Sequence, residues 1–84
     1  MTYSIRIEKD ALKQLRKIKK PERVQIVKAI EKLKYGSAQG KMLSGKWKGL
    51  SRMRSGDYRI IYGVRNSELL ILVVRIAHRK EVYR

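Results

Sequence analysis

The stretch YRIIYGVRNSELLILVVRIA, residues 58–77, predicts two neighbouring strands of a β-sheet. Tyr58, Ile60 and Tyr62 alternate with other residues, which is the period of a half-buried strand. The segment Leu69–Val74 is apolar at every position, which favours a central strand covered by helices on one face and partly screened on the other. The predicted strands are roughly Tyr58–Val64 and Glu68–Ala77, with a turn at Arg65-Asn66-Ser67 between them.

Upstream of this pair, the chain predicts one more antiparallel strand, at about Leu50–Arg54, joined to Tyr58 by the turn Ser55-Gly56-Asp57. Turn residues of this type commonly connect adjacent antiparallel strands. At the other end of the chain, Thr2–Glu8 alternates apolar and polar residues and predicts a first strand. The stretch between them, residues 35–49, is rich in Gly, Ser and Lys and predicts a loop.

Two helices are predicted between the first strand and this loop. Pro21 separates them, because proline ends a helix but suits the first turn of a new one. Gly36 is a typical stop for the second helix. Apolar residues recur at helical spacing in both segments: Ala11, Leu12, Leu15 and Ile18 in the first, and Val24, Ile26, Val27, Ile30 and Leu33 in the second.

The order β-α-α-β-β-β defines the predicted fold class as α+β. We expect a helical hairpin packed on one face of a small, twisted, mainly antiparallel sheet. With 84 residues, the chain is long enough for one hydrophobic core, so residues 1–84 are predicted to form a single domain.

The charge balance of the chain points to an anionic partner. Lys and Arg number 22 against 7 Asp and Glu, for a formal net charge of +15. A charge of this size raises encounter rates with polyanions, so nucleic acid, an acidic protein, or both in turn are the expected partners. No acidic residue occurs between Lys32 and Gly56, and seven basic residues do: Lys32, Lys34, Lys41, Lys46, Lys48, Arg52 and Arg54.

The sequence also indicates the cellular location of the protein and excludes some kinds of catalytic site. The amino terminus carries charges where a signal peptide needs an apolar run, and no apolar run approaches the ~18 residues of a membrane-spanning helix, so a cytoplasmic protein without membrane contact is expected. The chain has no cysteine. Its carboxylates have no spacing suited to holding two metal ions over a phosphate, and we expect neither a metal site nor a cofactor.

Two features of the sequence resemble catalytic or nucleotide-binding motifs but do not match them. Residues 40–46, GKMLSGK, fit the spacing of a phosphate-binding loop, but Trp47 occupies the position where a Ser or Thr would bind magnesium, which favours an ordinary basic loop. His78 is the one histidine, so RNA cleavage by a pair of histidines within one chain is excluded.

The pattern that best indicates a functional site is a set of arginines at alternate positions of adjacent strands. Arg52 and Arg54 share one face of their strand, and Arg59 lies on the face opposite to Tyr58 and Ile60. A solvated basic face is the simplest interpretation. Several cations placed close together nevertheless cost electrostatic energy, which a bound anion would relieve.

Three blocks of the sequence resemble toxins of the RelE/ParE superfamily. They are RSGDYRIIY at residues 54–62, the apolar strand ELLILVV at 68–74 and the ending HRKEVY at 78–83. The segments ALKQL at 11–15 and LSG at 43–45 fit as well, so the resemblance covers nearly the whole chain. It implies a toxin of a toxin–antitoxin system that a cognate antitoxin protein holds inactive.

The resemblance is closest to the RelE branch, whose members cut messenger RNA in the decoding site of the ribosome. It implies that Arg59 and Arg79 are catalytic arginines, that Tyr83 is the catalytic tyrosine, and that Arg52 replaces one of two active-site lysines. Leu50 stands at the position of the other lysine, so that cation is absent. We further expect a set of basic residues to bind RNA or the ribosome: Lys41, Lys46, Lys48, Arg54, His78 and Lys80.

These residue types permit metal-independent RNA cleavage. The 2′-hydroxyl of RNA can attack the adjacent phosphate if a base takes its proton and the pentavalent dianion is stabilised. Tyr83 is the expected base, since nearby cations favour the ionised form of a tyrosine, and the arginines are expected to bind and stabilise charge rather than donate a proton. A ParE-type inhibitor of DNA gyrase without nuclease activity is the first alternative, and a non-catalytic RNA-binding protein the second.

Overall fold

The computed structural model describes residues 2–35, 41–42 and 49–82, with side chains over 2–35 and 49–80. Two helices pack on one face of a mixed sheet, which confirms the predicted α+β fold. The elements in chain order are β1 (Ser4–Ile7), α1 (Lys9–Lys17), α2 (Lys20–Lys32), a 3₁₀ turn (Leu33–Tyr35), β2 (Lys41–Met42), β3 (Ser51–Ser55), β4 (Tyr58–Arg65), a 3₁₀ turn (Asn66–Glu68), β5 (Leu70–His78) and α3 (Arg79–Val82).

The strand order across the sheet is β1-β5-β4-β3-β2. Strand β1 pairs parallel with β5, and the remaining neighbours are antiparallel. Strand β5 therefore lies inside the sheet, as its apolar sequence predicted. Its Ile71 and Val73 are buried, whereas Leu70 and Leu72 on the alternate positions are only half-buried.

The hydrophobic core lies between the helices and one face of the sheet, here called the helix face. Its fully buried side chains include Ile26 of α2, Ile60 and Tyr62 of β4, and Ile76 of β5. Burying a side chain of this size contributes about 1.5–3 kcal/mol each. Packing of this kind, rather than helix propensity, holds two short helices in place.

The predicted apolar stripe of α2 is wider than the buried one. Ile26, Ile30 and Leu33 are buried, but Val24 and Val27 are 40% and 38% exposed. The buried residues follow the i, i+4, i+7 spacing of a single helix face. At 3.6 residues per turn, Val27 lies beside that face, whereas Val24 lies on the far side of the helix.

The expectation of an unbroken loop over residues 35–49 is wrong in one place. Lys41 and Met42 form the short strand β2, antiparallel to Arg52 and Ser51. A strand of two residues is too short to show alternation in the sequence, so it could not be predicted from the pattern. It is defined by its pairing with β3. The predicted helix stop at Gly36 lies outside the described residues.

Candidate nucleic-acid interface

The sheet has a second face, which we call the arginine face because Arg52, Arg54, Arg59 and Arg75 alternate onto it. Side chains of successive strand residues point to opposite sides, and residues paired across strands share a side. Ile60 and Tyr62 belong to the core on the helix face, so their neighbours Arg59 and Ile61 project from the other face.

The strand register places the arginines close together. Arg54 lies directly opposite Arg59, and Arg59 lies opposite Ala77 on the third strand. In the next row, Ile61 lies between Arg52 on one side and Arg75 on the other. The four arginines thus occupy two adjacent rows on three neighbouring strands.

An irregularity in β5 brings Arg75 to this face. Ile61 pairs with Arg75 and Tyr62 pairs with Val73, so Val74 is an extra residue in β5. Such a bulge reverses the alternation along a strand. Ile71 and Val73 before it and Ile76 after it therefore all reach the helix face, and Arg75 points away from it.

Burial separates Arg59 from the other arginines. Its side chain is only 7% exposed, and Ile61 and Ala77 around it are 4% and 2% exposed. Arg52 is half-buried, whereas Arg54 and Arg75 are exposed. An electrostatic interaction at Arg59 is therefore screened less by water than one at its exposed neighbours.

The charges of this face are of one sign. None of the described strands contains an acidic residue. Like charges directly opposite each other, as at Arg54 and Arg59, destabilise a sheet. A bound anion offsets this repulsion, and guanidinium groups suit phosphate because they donate two parallel hydrogen bonds.

Arg79 lies at the end of β5, beside the turn between β3 and β4. Its backbone N–H donates to the Asp57 carbonyl at 2.7 Å, and its Nε lies 3.8 Å from Asp57 Oδ1. Both side chains are more than half exposed, so this ion pair by itself contributes little. The turn is tight because Gly56 adopts a φ of 60°, a conformation that favours glycine.

His78 does not join the arginine face. It pairs with Tyr58, and the two rings meet edge to face with centroids 5.2 Å apart. Tyr58 packs against the core, so this ring pair lies at the margin of the helix face. Lys80 is exposed on α3.

Leu50 lies beside the arginine face, next to Gly63 of β4. Its Cδ2 lies 3.0 Å from the place where a Cβ on Gly63 would be. A half-buried apolar side chain thus stands where the resemblance places a second active-site cation.

Four of the predicted site residues cannot be placed. Tyr83, Lys46 and Lys48 lie outside the described residues, and only the backbone of Lys41 is described, opposite Arg52. Arg75 is a further residue of the arginine face that the sequence did not predict as a site residue. No local pattern indicates it, because residues 69–74 are apolar at every position and show no period of two.

Within residues 2–35, 41–42 and 49–82, no group of three or more His, Asp or Glu side chains is placed to hold a metal ion. None of the helices in these residues is both long and apolar enough to cross a membrane.

Several solved structures that share this fold are of toxins in complex with their antitoxins. The fold matches the RelBE2 toxin–antitoxin complex of Mycobacterium tuberculosis with a TM-score of 0.85 at 23% identity, covering 94% of this chain and all of the matched chain. It also matches the archaeal RelE–RelB complex of Pyrococcus horikoshii, with a TM-score of 0.76 at 26% identity over 94% of this chain and 97% of that one. The fold is therefore that of the RelE toxins.

Sequence comparison gives the family. The family model for the ParE toxin of type II toxin–antitoxin systems, parDE, matches residues 5–83. The chain therefore belongs to this family and is a type II toxin of the RelE/ParE superfamily. It is also similar to the toxin RelG of Mycobacterium tuberculosis, with 28% identity over 90 residues, covering 100% of this chain and 99% of RelG.

Proposed function

We propose that this toxin is a ribosome-dependent messenger RNA endonuclease of the cytoplasm. The arginine face carries the proposal, because it offers a scissile phosphate one buried and three more accessible guanidinium groups. Similarity to RelE toxins in fold and to RelG in sequence supports it.

In the proposed reaction, the 2′-oxygen of the substrate attacks the adjacent phosphorus and the bond to the 5′-oxygen breaks. Tyr83 takes the proton of the 2′-hydroxyl, and the 5′-oxygen leaves with a proton drawn from water. The products are a 2′,3′-cyclic phosphate and a 5′-hydroxyl. Arg52 and Arg59 hold the phosphate, and Arg79 stabilises the charge that develops on it.

The ribosome has a defined part in this scheme. A base and a set of cations accelerate the reaction only if the attacking oxygen, phosphorus and leaving oxygen are in line. Flexible single-stranded RNA reaches that geometry rarely, and the ribosome holds the message in a fixed conformation. Cleavage of free RNA is therefore expected to be slow.

Inhibition of DNA gyrase is the second candidate function. The observation that favours it is the family model itself, which is that of the ParE toxin. A gyrase inhibitor of this fold would block supercoiling and leave messenger RNA intact.

Binding of single-stranded RNA to the toxin is predicted to weaken steeply with salt. If the four arginines of the arginine face each contact one phosphate, the slope of log K against log salt is about −3, so a fourfold rise in salt weakens binding about 50-fold. Titration of a labelled RNA oligonucleotide at several salt concentrations measures this slope. Arg54→Ala should reduce its magnitude by about 0.7, and an affinity that is flat with salt contradicts the interface.

An acidic antitoxin segment is predicted to dock as a helix or strand against the arginine face and to stabilise the toxin. The RelE structures solved with RelB support such a partner. A partner at a hundred times its Kd adds about 2.7 kcal/mol, which raises the Tm of a domain of this size by about 10 °C or more. Thermal unfolding with and without the product of the neighbouring gene measures the shift. An unchanged Tm, or RNA binding that the partner leaves unaffected, counts against docking on this face.

A further inference from the structure

The last helical turn, α3, is attached to the residues before it through its first two backbone N–H groups. It spans four residues, Arg79–Val82, and a helix this short is unstable alone because too few hydrogen bonds offset the cost of nucleation. Its first N–H, that of Arg79, donates to the Asp57 carbonyl at 2.7 Å. Its second N–H, that of Lys80, donates to His78 Nδ1 at 3.2 Å.

The contact to His78 has the geometry of an N-cap. His78 immediately precedes α3, and its side chain accepts from the N–H two residues on, as an N-cap Ser, Asp or Asn does.

The ring of His78 is oriented by its contact with Tyr58. It meets Tyr58 edge to face with an interplanar angle of 88°, and it is half-buried. Two cavities also border it: Glu22, Gln25 and Asp57 line one, and Gln14 and Lys17 line the other. The ring therefore cannot turn to the arginine face without losing its contact with Tyr58.

We propose that His78 is a positioning residue, which caps α3 and thereby sets the direction in which Arg79 and the following residues leave the sheet. The inference rests on the proposed function, since it matters for cleavage only if Arg79 and Tyr83 act on RNA. Asp57 completes the attachment by accepting the Arg79 N–H. This role differs from direct RNA binding by His78, which the sequence predicted.

Two substitutions of His78 separate the effect of its hydrogen-bond acceptor from the effect of its aromatic ring. His78→Asn keeps an acceptor at the δ position and loses the ring, whereas His78→Phe keeps an aromatic ring against Tyr58 and loses the acceptor. We expect His78→Phe to speed hydrogen exchange at the Lys80 amide about fivefold or more, as loss of an N-cap does. His78→Asn should stay within about twofold of the wild type.

Single-turnover cleavage of message on ribosomes gives the functional readout. His78→Phe is expected to lower the rate at saturating ribosomes about tenfold with the half-saturating concentration unchanged, because ribosome contacts remain and the cleavage groups are misplaced. His78→Asn is expected to restore most of the rate. Equal losses in both variants would instead assign a direct role to the imidazole and overturn the proposal.

Hydrogen exchange at the Lys80 amide tests whether His78 caps α3, and it does so whether or not the toxin cuts RNA. If His78→Phe leaves exchange at Lys80 unchanged, there is no cap and the inference fails even when cleavage is seen. If exchange rises and cleavage stays at the wild-type rate, the cap does not position the cleavage residues. A wild-type protein without ribosomal cleavage refutes the proposed function, and with it the positioning role, independently of the exchange result.

Discussion

Tyr83→Phe is expected to lower the rate of message cleavage on ribosomes by ~10² to 10⁴, the range that general base catalysis contributes. The substitution removes one hydroxyl and retains the ring. An unperturbed tyrosine, with a pKa near ~10, is a poor base at neutral pH, and neighbouring cations favour its ionised form. In the proposed reaction, the arginines of this chain would favour the ionised form of Tyr83.

The control for this variant is binding. Tyr83→Phe should retain wild-type affinity for ribosomes and for the antitoxin, and its expression should no longer arrest growth. Cleavage at the wild-type rate would mean that another group is the base.

Arg59→Met is expected to lower the cleavage rate at saturation by ~10² to 10³, the effect of removing one donor to a developing anion. Arg59 differs from the other arginines of the face in being 7% exposed, where electrostatic interactions are strongest. Methionine retains much of the buried stem, so loss of packing is smaller than with alanine. Single-turnover kinetics on ribosomes measures the effect, and the Tm of the variant checks that it folds.

Arg54→Ala is the matched control, because Arg54 lies directly opposite Arg59 in the sheet and is exposed. It should raise the half-saturating ribosome concentration and leave the rate at saturation unchanged. If both variants change binding alone, the arginine face binds RNA without stabilising the transition state.

Much of the fold follows from local patterns in the sequence. Alternation of Tyr58, Ile60 and Tyr62 assigned β4 and its buried face, and the apolar segment 69–74 assigned β5 to the interior of the sheet. These predictions worked because burial on one or both faces of a strand directly determines which residues it can contain.

The parts that sequence patterns missed depend on pairing between distant segments. The bulge at Val74 is defined only against Ile61 and Tyr62 on the neighbouring strand, and it alone decides that Arg75 shares a face with Arg59. It also decides that His78 faces Tyr58. Strict alternation from Val73 would instead place Arg75 on the helix face and His78 on the arginine face.

The burial of Arg59 could not be predicted either. Arginine is mostly a surface residue, and no local pattern marks Arg59 as an exception. In the sheet it lies opposite Ala77 and next to Ile61 on the same face, and both of these residues are buried as well.

The central claim, that the toxin cuts messenger RNA on ribosomes, is tested most directly by mapping message 5′ ends after induced expression, with a gyrase supercoiling assay on the purified toxin. The account predicts new 5′ ends within translated regions, carrying 5′-hydroxyls and absent from the Tyr83→Phe strain, and normal supercoiling by gyrase. Intact messages together with blocked supercoiling would contradict it and establish a gyrase inhibitor.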